Sequence, residues 1–168
     1  MRDVLQAEAG LVRGSYAEIT ALLRRAIRVD PSFADFVAVC RARGAEITIV
    51  SSGIEPIVRD RLDEIGVGEI AIVANGIEPD PNGWRIVFRG DAANGTDKQA
   101  LVLAARAAGS RTLFIGDGRS DYAAAIAADT RFAKRGYPLA RYLTERGIEF
   151  ISYSSFAEVL RTLDALSR

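Results

Sequence analysis

Three short apolar runs limit what this chain can fold into: "EITIV" from Glu46, "EIAIVA" from Glu69 and "TLFIG" from Thr112. Each is rich in β-branched or aromatic residues, too short for a helix, and ended by a glycine-containing turn, the pattern of a buried strand. Between them the apolar residues recur at helical intervals. Ser15 to Glu18, "SYAE", has capping-box spacing ahead of "ITALLRRAI", which predicts a helix to about Val29. "DPS" at Asp30 stops it, and Pro31 opens a second helix, "SFADFVAVCRAR", that ends at Gly44. A third follows Pro56 in "IVRDRLDEIG". "NG" at Asn75 reads as a turn, and "DPNG" from Asp80 ahead of "WRIVF" completes a hairpin-like pair. Helix returns from Asp97 and again in "DYAAAIAAD". The tail gives a strand near Phe132, a helix through "LARYLTERG", a strand "EFIS" and a last helix from about Ser155. Helices alternating with short apolar strands predict an α/β fold, a mostly parallel Rossmann-like sheet covered by helices on both faces.

The composition removes several classes of function. Among 168 residues, Lys plus Arg equals Asp plus Glu at 22 each, so no basic field attracts nucleic acid or anionic lipid. There is no histidine, which excludes Ser-His and Cys-His catalysis, and with one cysteine it leaves no Cys/His set for a zinc site. Cys40, in the apolar stretch "FVAVC", reads as a small buried side chain. "MRDVLQAEAG" lacks the basic and apolar regions of a secretory signal, and no apolar run has the length of a membrane span. The expected setting is cytoplasmic, without membrane or nucleic-acid partners.

In parallel α/β sheets ligands gather beyond the carboxyl ends of the strands. Three such places carry polar residues. Ser51-Ser52-Gly53 follows "ITIV", and a helix begins near Glu55, so a hydroxyl and free backbone N–H groups suit a phosphate. Lys98, in "NGTDKQALV", puts a compact ammonium at a helix start. Asp117 and Asp121 follow "TLFI", with Gly116 and Gly118 permitting a tight bend; neighbouring carboxylates repel unless a cation lies beside them, and Mg²⁺ takes one or two carboxylates plus phosphate oxygens and water. Purely structural readings stand beside these. Taken alone, Ser-Ser-Gly after a strand is most often a helix cap and a lysine in a first helical turn is usually solvated, while Asp121 could cap "DYAAAIAAD". Arg24 and Arg28 suit a substrate carboxylate, a second phosphate or a solvated face, and Trp84 and Tyr122 read as packing residues.

"IVSSG", Lys98 and "GDGRSD", in this order, resemble the second, third and fourth motifs of the haloacid dehalogenase superfamily of phosphatases, in the phosphoserine phosphatase branch. The resemblance runs from about Ala17 to the end, and the tail is closer to methionine-salvage enol-phosphatase-like members. It implies Mg²⁺-dependent hydrolysis of a small phosphorylated metabolite through an aspartyl-phosphate. On this basis Ser51, with Ser52 and Gly53, would hold the transferring phosphoryl group, and Lys98 would neutralise it and orient the nucleophile. Asp117 would ligate Mg²⁺ and Asp121 would support the metal or its waters. Residues 1–30 would be the remnant of a helical cap and 31–168 the phosphatase core.

The family's first motif, Asp-x-Asp-x-Thr, has no counterpart; the only aspartate before Asp30 is Asp3. By the resemblance that segment supplies the nucleophile, the general acid/base and the central strand. The expectation is therefore an N-terminally truncated phosphatase, inactive alone and prone to self-association through the exposed sheet. A non-catalytic phosphate-binding or assembly module is the alternative. A phosphoacceptor receiver domain would order its motifs in reverse, and a dinucleotide-binding unit would need Gly-x-Gly-x-x-Gly after the first strand.

Overall fold

The apolar runs do become strands. In the computed structural model, which describes residues 2–93 and 95–166, the chain divides into two compact units, Met1–Thr96 and Asp97–Arg168.

The first unit holds α1 (Arg2–Gly10), α2 (Tyr16–Ala26), α3 (Phe33–Ala42), β1 (Thr48–Ile54), α4 (Glu55–Asp63), β2 (Ala71–Glu78) and β3 (Arg85–Val87). Its sheet has the order β1-β2-β3, with β1 parallel and β3 antiparallel to β2. The predicted capping box is present: Ser15 Oγ accepts the Glu18 N–H at 3.3 Å, and Glu18 accepts the Ser15 N–H at 2.8 Å. Helix α2 ends at Ala26, so Arg28 lies beyond it, and exposed Arg24 pairs instead with Asp60 and Glu64 at 3.8 and 3.4 Å.

Two elements differ from the sequence reading. Asn75 and Gly76 are no turn, because β2 runs through them; the chain reverses at Asp80 to Gly83, where the Gly83 N–H reaches the Asp80 carbonyl at 3.0 Å and Gly83 has φ +141°. Helix α1 was not foreseen. It closes the outer edge of β3, since the Trp84 N–H donates to the Ala9 carbonyl at 3.0 Å. The Gln6 amide also donates to the Trp84 carbonyl at 3.3 Å and accepts the Ile86 N–H at 3.0 Å, occupying groups a further strand would pair. Beneath lie Ala9, Trp84 and Ile86, packed by Leu5, Val12, Tyr16 and Ile19, so Trp84 is a core residue as the sequence suggests.

The second unit holds α5 (Lys98–Ala107), β4 (Leu113–Gly116), α6 (Tyr122–Ala127), β5 (Thr130–Lys134), α7 (Pro138–Glu145), β6 (Ile151–Tyr153) and α8 (Phe156–Leu166). Its strands are all parallel in the order β4-β5-β6. Ala125, Ala133, Leu139, Ala140 and Leu143 form the core, with Phe114, Tyr122 and Tyr142 against it. Small alanines on α6 let it lie close to the sheet, while the long apolar side chains come from α7. Both β1 and β4, the strands that lead into the polar turns, stand at the end of their own sheet.

Candidate active site

Ser51, Ser52 and Gly53 belong to the first unit, and Lys98, Asp117 and Asp121 to the second. In the first, Val50 pairs with Val73 and Ile54 with Asn75, so Ser51, Ser52 and Gly53 together stand opposite Ala74 alone. The extra residues bulge out of the ladder. Ser51 Oγ accepts the Gly53 N–H at 3.0 Å, which leaves the hydroxyl hydrogen to donate elsewhere. The bulge runs straight into α4, whose first turn has Pro56 and no side-chain cap. The helix-cap reading of these serines therefore fails.

In the second unit β4, whose Leu113 is exposed and whose other residues are half-buried, ends at Gly116, and a 3-10 turn, Arg119–Asp121, leads into α6. Asp121 is buried at 4% exposure, and both its oxygens are engaged by the protein. Oδ2 accepts the Asp117 and Gly118 N–H groups, each at 2.8 Å, and Oδ1 meets Lys98 Nζ at 2.6 Å. It makes no forward cap on α6; it folds the Gly-Asp-Gly turn back on itself. Gly116 is required for this, because a Cβ there would stand 2.7 Å from Asp121 Oδ2. The Asp117 carbonyl accepts the Leu139 N–H from the first turn of α7 at 2.9 Å, which fixes the turn from its other side. The Asp117 residue itself is exposed.

Lys98 opens α5, whose N-cap Asp97 accepts the Ala100 N–H at 2.9 Å. Its ammonium also reaches Ser120 Oγ at 3.2 Å, so two of its three donors are directed into the turn. Lys98, Asp117 and Asp121 are thus brought together as the sequence order suggests. Among the described residues no three His, Cys, Asp or Glu side chains cluster to cage a metal. What the turn offers is one exposed carboxylate, Asp117, on a rigid support. That donor set suits a hard cation completed by phosphate oxygens and water, the habit of Mg²⁺.

Asn75 is a residue the sequence reading missed. It is wholly buried at 0% exposure, and its Nδ2 donates to the Ser52 carbonyl at 2.9 Å while Oδ1 accepts the Arg89 N–H at 3.2 Å. Only burial, which the dipeptide Asn-Gly does not reveal, separates this strand residue from a turn residue.

Parallel strands that end in a serine-bearing bulge and an aspartate turn clamped to a lysine define an α/β protein with polar strand-end loops. The profile of the haloacid dehalogenase-like hydrolases matches residues 1–125, and the chain belongs to that family. It is 33% identical to Pdp3-interacting factor 1 of Schizosaccharomyces pombe, over 98% of this chain and 76% of that one. It is 29% identical to a polyol phosphate phosphatase of Saccharomyces cerevisiae, over 88% of this chain and 68% of the relative. A 2-hydroxy-3-keto-5-methylthiopentenyl-1-phosphate phosphatase of Microcystis aeruginosa is 28% identical over 94% of this chain and 74% of its own. Among solved structures, a phosphoserine phosphatase in a substrate-bound complex superposes with TM-score 0.71 at 16% identity, covering 96% of this chain and 76% of that one, which shows a shared fold. The expected family, with phosphoserine phosphatase and enol-phosphatase relatives, is borne out. Among the described residues no helix is long and apolar enough to cross a membrane.

Proposed function

We propose that this chain carries the phosphate-holding and cation-holding parts of a phosphomonoesterase for small phosphorylated metabolites. The observation that carries the reading is the Asp121 clamp, which spends a buried carboxylate on holding both Lys98 and the Asp117 turn. Such outlay is unnecessary for a mere chain reversal and useful for presenting charge. In this reading Ser51 donates its hydroxyl hydrogen to a phosphoryl oxygen, with the Ser52 and Gly53 backbone beside it. Lys98 supplies positive charge to the phosphoryl group, and Asp121 positions Lys98 and the turn. Asp117 would hold Mg²⁺, which when bound screens the phosphate charge. Relatives named for polyol phosphate and for a keto-pentenyl phosphate favour a small phosphorylated polyol or sugar-derived compound over phosphoserine.

The family's chemistry needs an aspartate that attacks phosphorus, releases the alcohol and is freed from its aspartyl-phosphate by water. No two aspartates two residues apart occur anywhere in the 168 residues. We therefore assign the nucleophile and general acid to a segment outside this sequence, and the chain alone binds phosphate without turning over. The same reading has the edges of β1 and β4 open to association, so sedimentation should show concentration-dependent self-association.

The test is p-nitrophenyl phosphate hydrolysis with Mg²⁺ by this chain and by the chain extended upstream with an Asp-x-Asp strand. Turnover only in the extended chain, lost again in Asp117→Asn, supports a phosphatase. The missing Asp-x-Asp pair equally suits a non-catalytic phosphate-binding module. An extended chain that binds phosphate but stays silent would favour that module.

A further inference from the structure

The bulge at Ser51 to Gly53 departs from the β1-β2 ladder, so the ladder itself cannot hold its shape. Asn75 lies directly across from its far end, paired in register with Ile54. From there its amide reaches two separate stretches of backbone, the Ser52 carbonyl at 2.9 Å and the Arg89 N–H at 3.2 Å. A third stretch closes over it. Gly95 has φ +84°, and a Cβ there would stand 2.0 Å from Asn75 Oδ1 and 2.9 Å from Phe88 Cδ1, so the amide is enclosed where no larger residue fits. Arg89, held at one end by this amide, pairs through its guanidinium with Glu55 at the start of α4 at 3.2 Å.

We propose that Asn75 is a positioning residue for the phosphate-holding turn: by fixing the Ser52 peptide it sets the direction of the Ser51 hydroxyl and the Gly53 N–H. The proposal rests on the reading that this turn holds phosphate. An amide is needed because the two contacts demand opposite roles, a donor toward Ser52 and an acceptor toward Arg89. An ionised carboxylate keeps the second role and loses the first, placing two acceptors against each other in a buried site. A protonated carboxyl has one O–H and one carbonyl oxygen, and so supplies both roles again.

Asn75→Asp in the 168-residue chain tests this with two readouts, the amide resonance of Gly53 and the binding of inorganic phosphate, each compared with the native chain at the same pH. At pH above neutrality the Gly53 resonance of the variant should move away from its native position. Phosphate affinity should fall roughly ten- to hundredfold, the range expected when a group that orients a ligand-binding residue is lost. As pH falls and the carboxyl protonates, both readouts should return toward native, while Glu55 and Arg89 are common to both chains. A merely structural role predicts a loss that does not recover, accompanied by loss of the folded Trp84 emission. That result, or an unchanged Gly53 resonance and affinity at high pH, overturns the proposal. Should Ser51→Ala bind phosphate as well as native, or native not bind it, the phosphate reading fails by itself. The Gly53 resonance still decides whether Asn75 holds the turn.

Discussion

Replacing Lys98 with methionine removes one charge from an almost dry pair. Lys98 Nζ and Asp121 Oδ1 are 2.6 Å apart, with the side chains 11% and 5% exposed. At an effective dielectric of about 20 the attraction at this separation is about 6 kcal/mol, and desolvation of both ions offsets a large part of it. Breaking such a pair from one side costs about 3–5 kcal/mol, because the remaining charge is stranded. Here the stranded carboxylate keeps two backbone N–H donors, so Lys98→Met should cost about 3 kcal/mol, the low end of that range. Pairing it with Asp121→Asn removes the stranded charge while the amide oxygen still accepts from the turn. The double variant should therefore lose less than the sum of the singles, with a coupling of about 2 kcal/mol. Urea unfolding followed through tyrosine near-ultraviolet circular dichroism measures this, since Tyr122, Tyr137, Tyr142 and Tyr153 all lie in the second unit. Added salt should change the penalty little, because a buried pair is poorly screened. A penalty below about 1 kcal/mol for Lys98→Met, the size expected of an exposed pair, or additive single effects would mean that Lys98 and Asp121 are not a buried, coupled pair.

Three further outcomes follow from the geometry. Gly116→Ala should destabilise the same unit by about 1–3 kcal/mol, since its Cβ would meet Asp121 Oδ2 at 2.7 Å and Phe114 Cε1 at 2.8 Å; a melting curve identical to native would contradict this. Gln6→Ala, which strips both side-chain bonds from the edge of β3, should cost about 1–2 kcal/mol by the unfolding of Trp84 fluorescence. Acid should cost stability through Glu18 and Asp129. The Ser15 backbone N–H and then its hydroxyl hold Glu18 below its ordinary 4.5, and the Thr112 N–H and hydroxyl hold Asp129 below 3.8. A depressed carboxyl contributes fully above its unfolded value and loses that contribution as pH falls through the folded one. The stability gap between native and Glu18→Gln should then close as pH drops below 4.5, and a gap that persists at lower pH would count against it.

Where local chemistry decides the structure, the sequence was readable. Ser15 and Glu18 cap α2, α5 begins at the expected Asp97 boundary, and the runs at Thr48, Ala71 and Leu113 form strands, because each depends on residues a few positions apart. Long-range partners defeat such reading. Leu5 and Ala9 become a buried helix face because Trp84 packs against them, and Asn75 becomes a strand residue because β2, paired on both sides, runs through it. The site falls between these cases. Asp117 and Asp121 stand out by their spacing after a short apolar strand, yet which of them faces outward is set by Lys98 and by the turn's own N–H groups. Two carboxylates of equal standing in the sequence thus divide into a clamp and an exposed oxygen donor.

The most direct test of that division is the binding of inorganic phosphate to this chain, measured by calorimetry with and without Mg²⁺ and repeated in Asp117→Asn. Mg²⁺ should strengthen phosphate binding, and the variant should lose this coupling while keeping its fold. Equal affinity with and without Mg²⁺, or coupling that survives Asp117→Asn, would contradict the assignment of this turn as a cation and phosphate site.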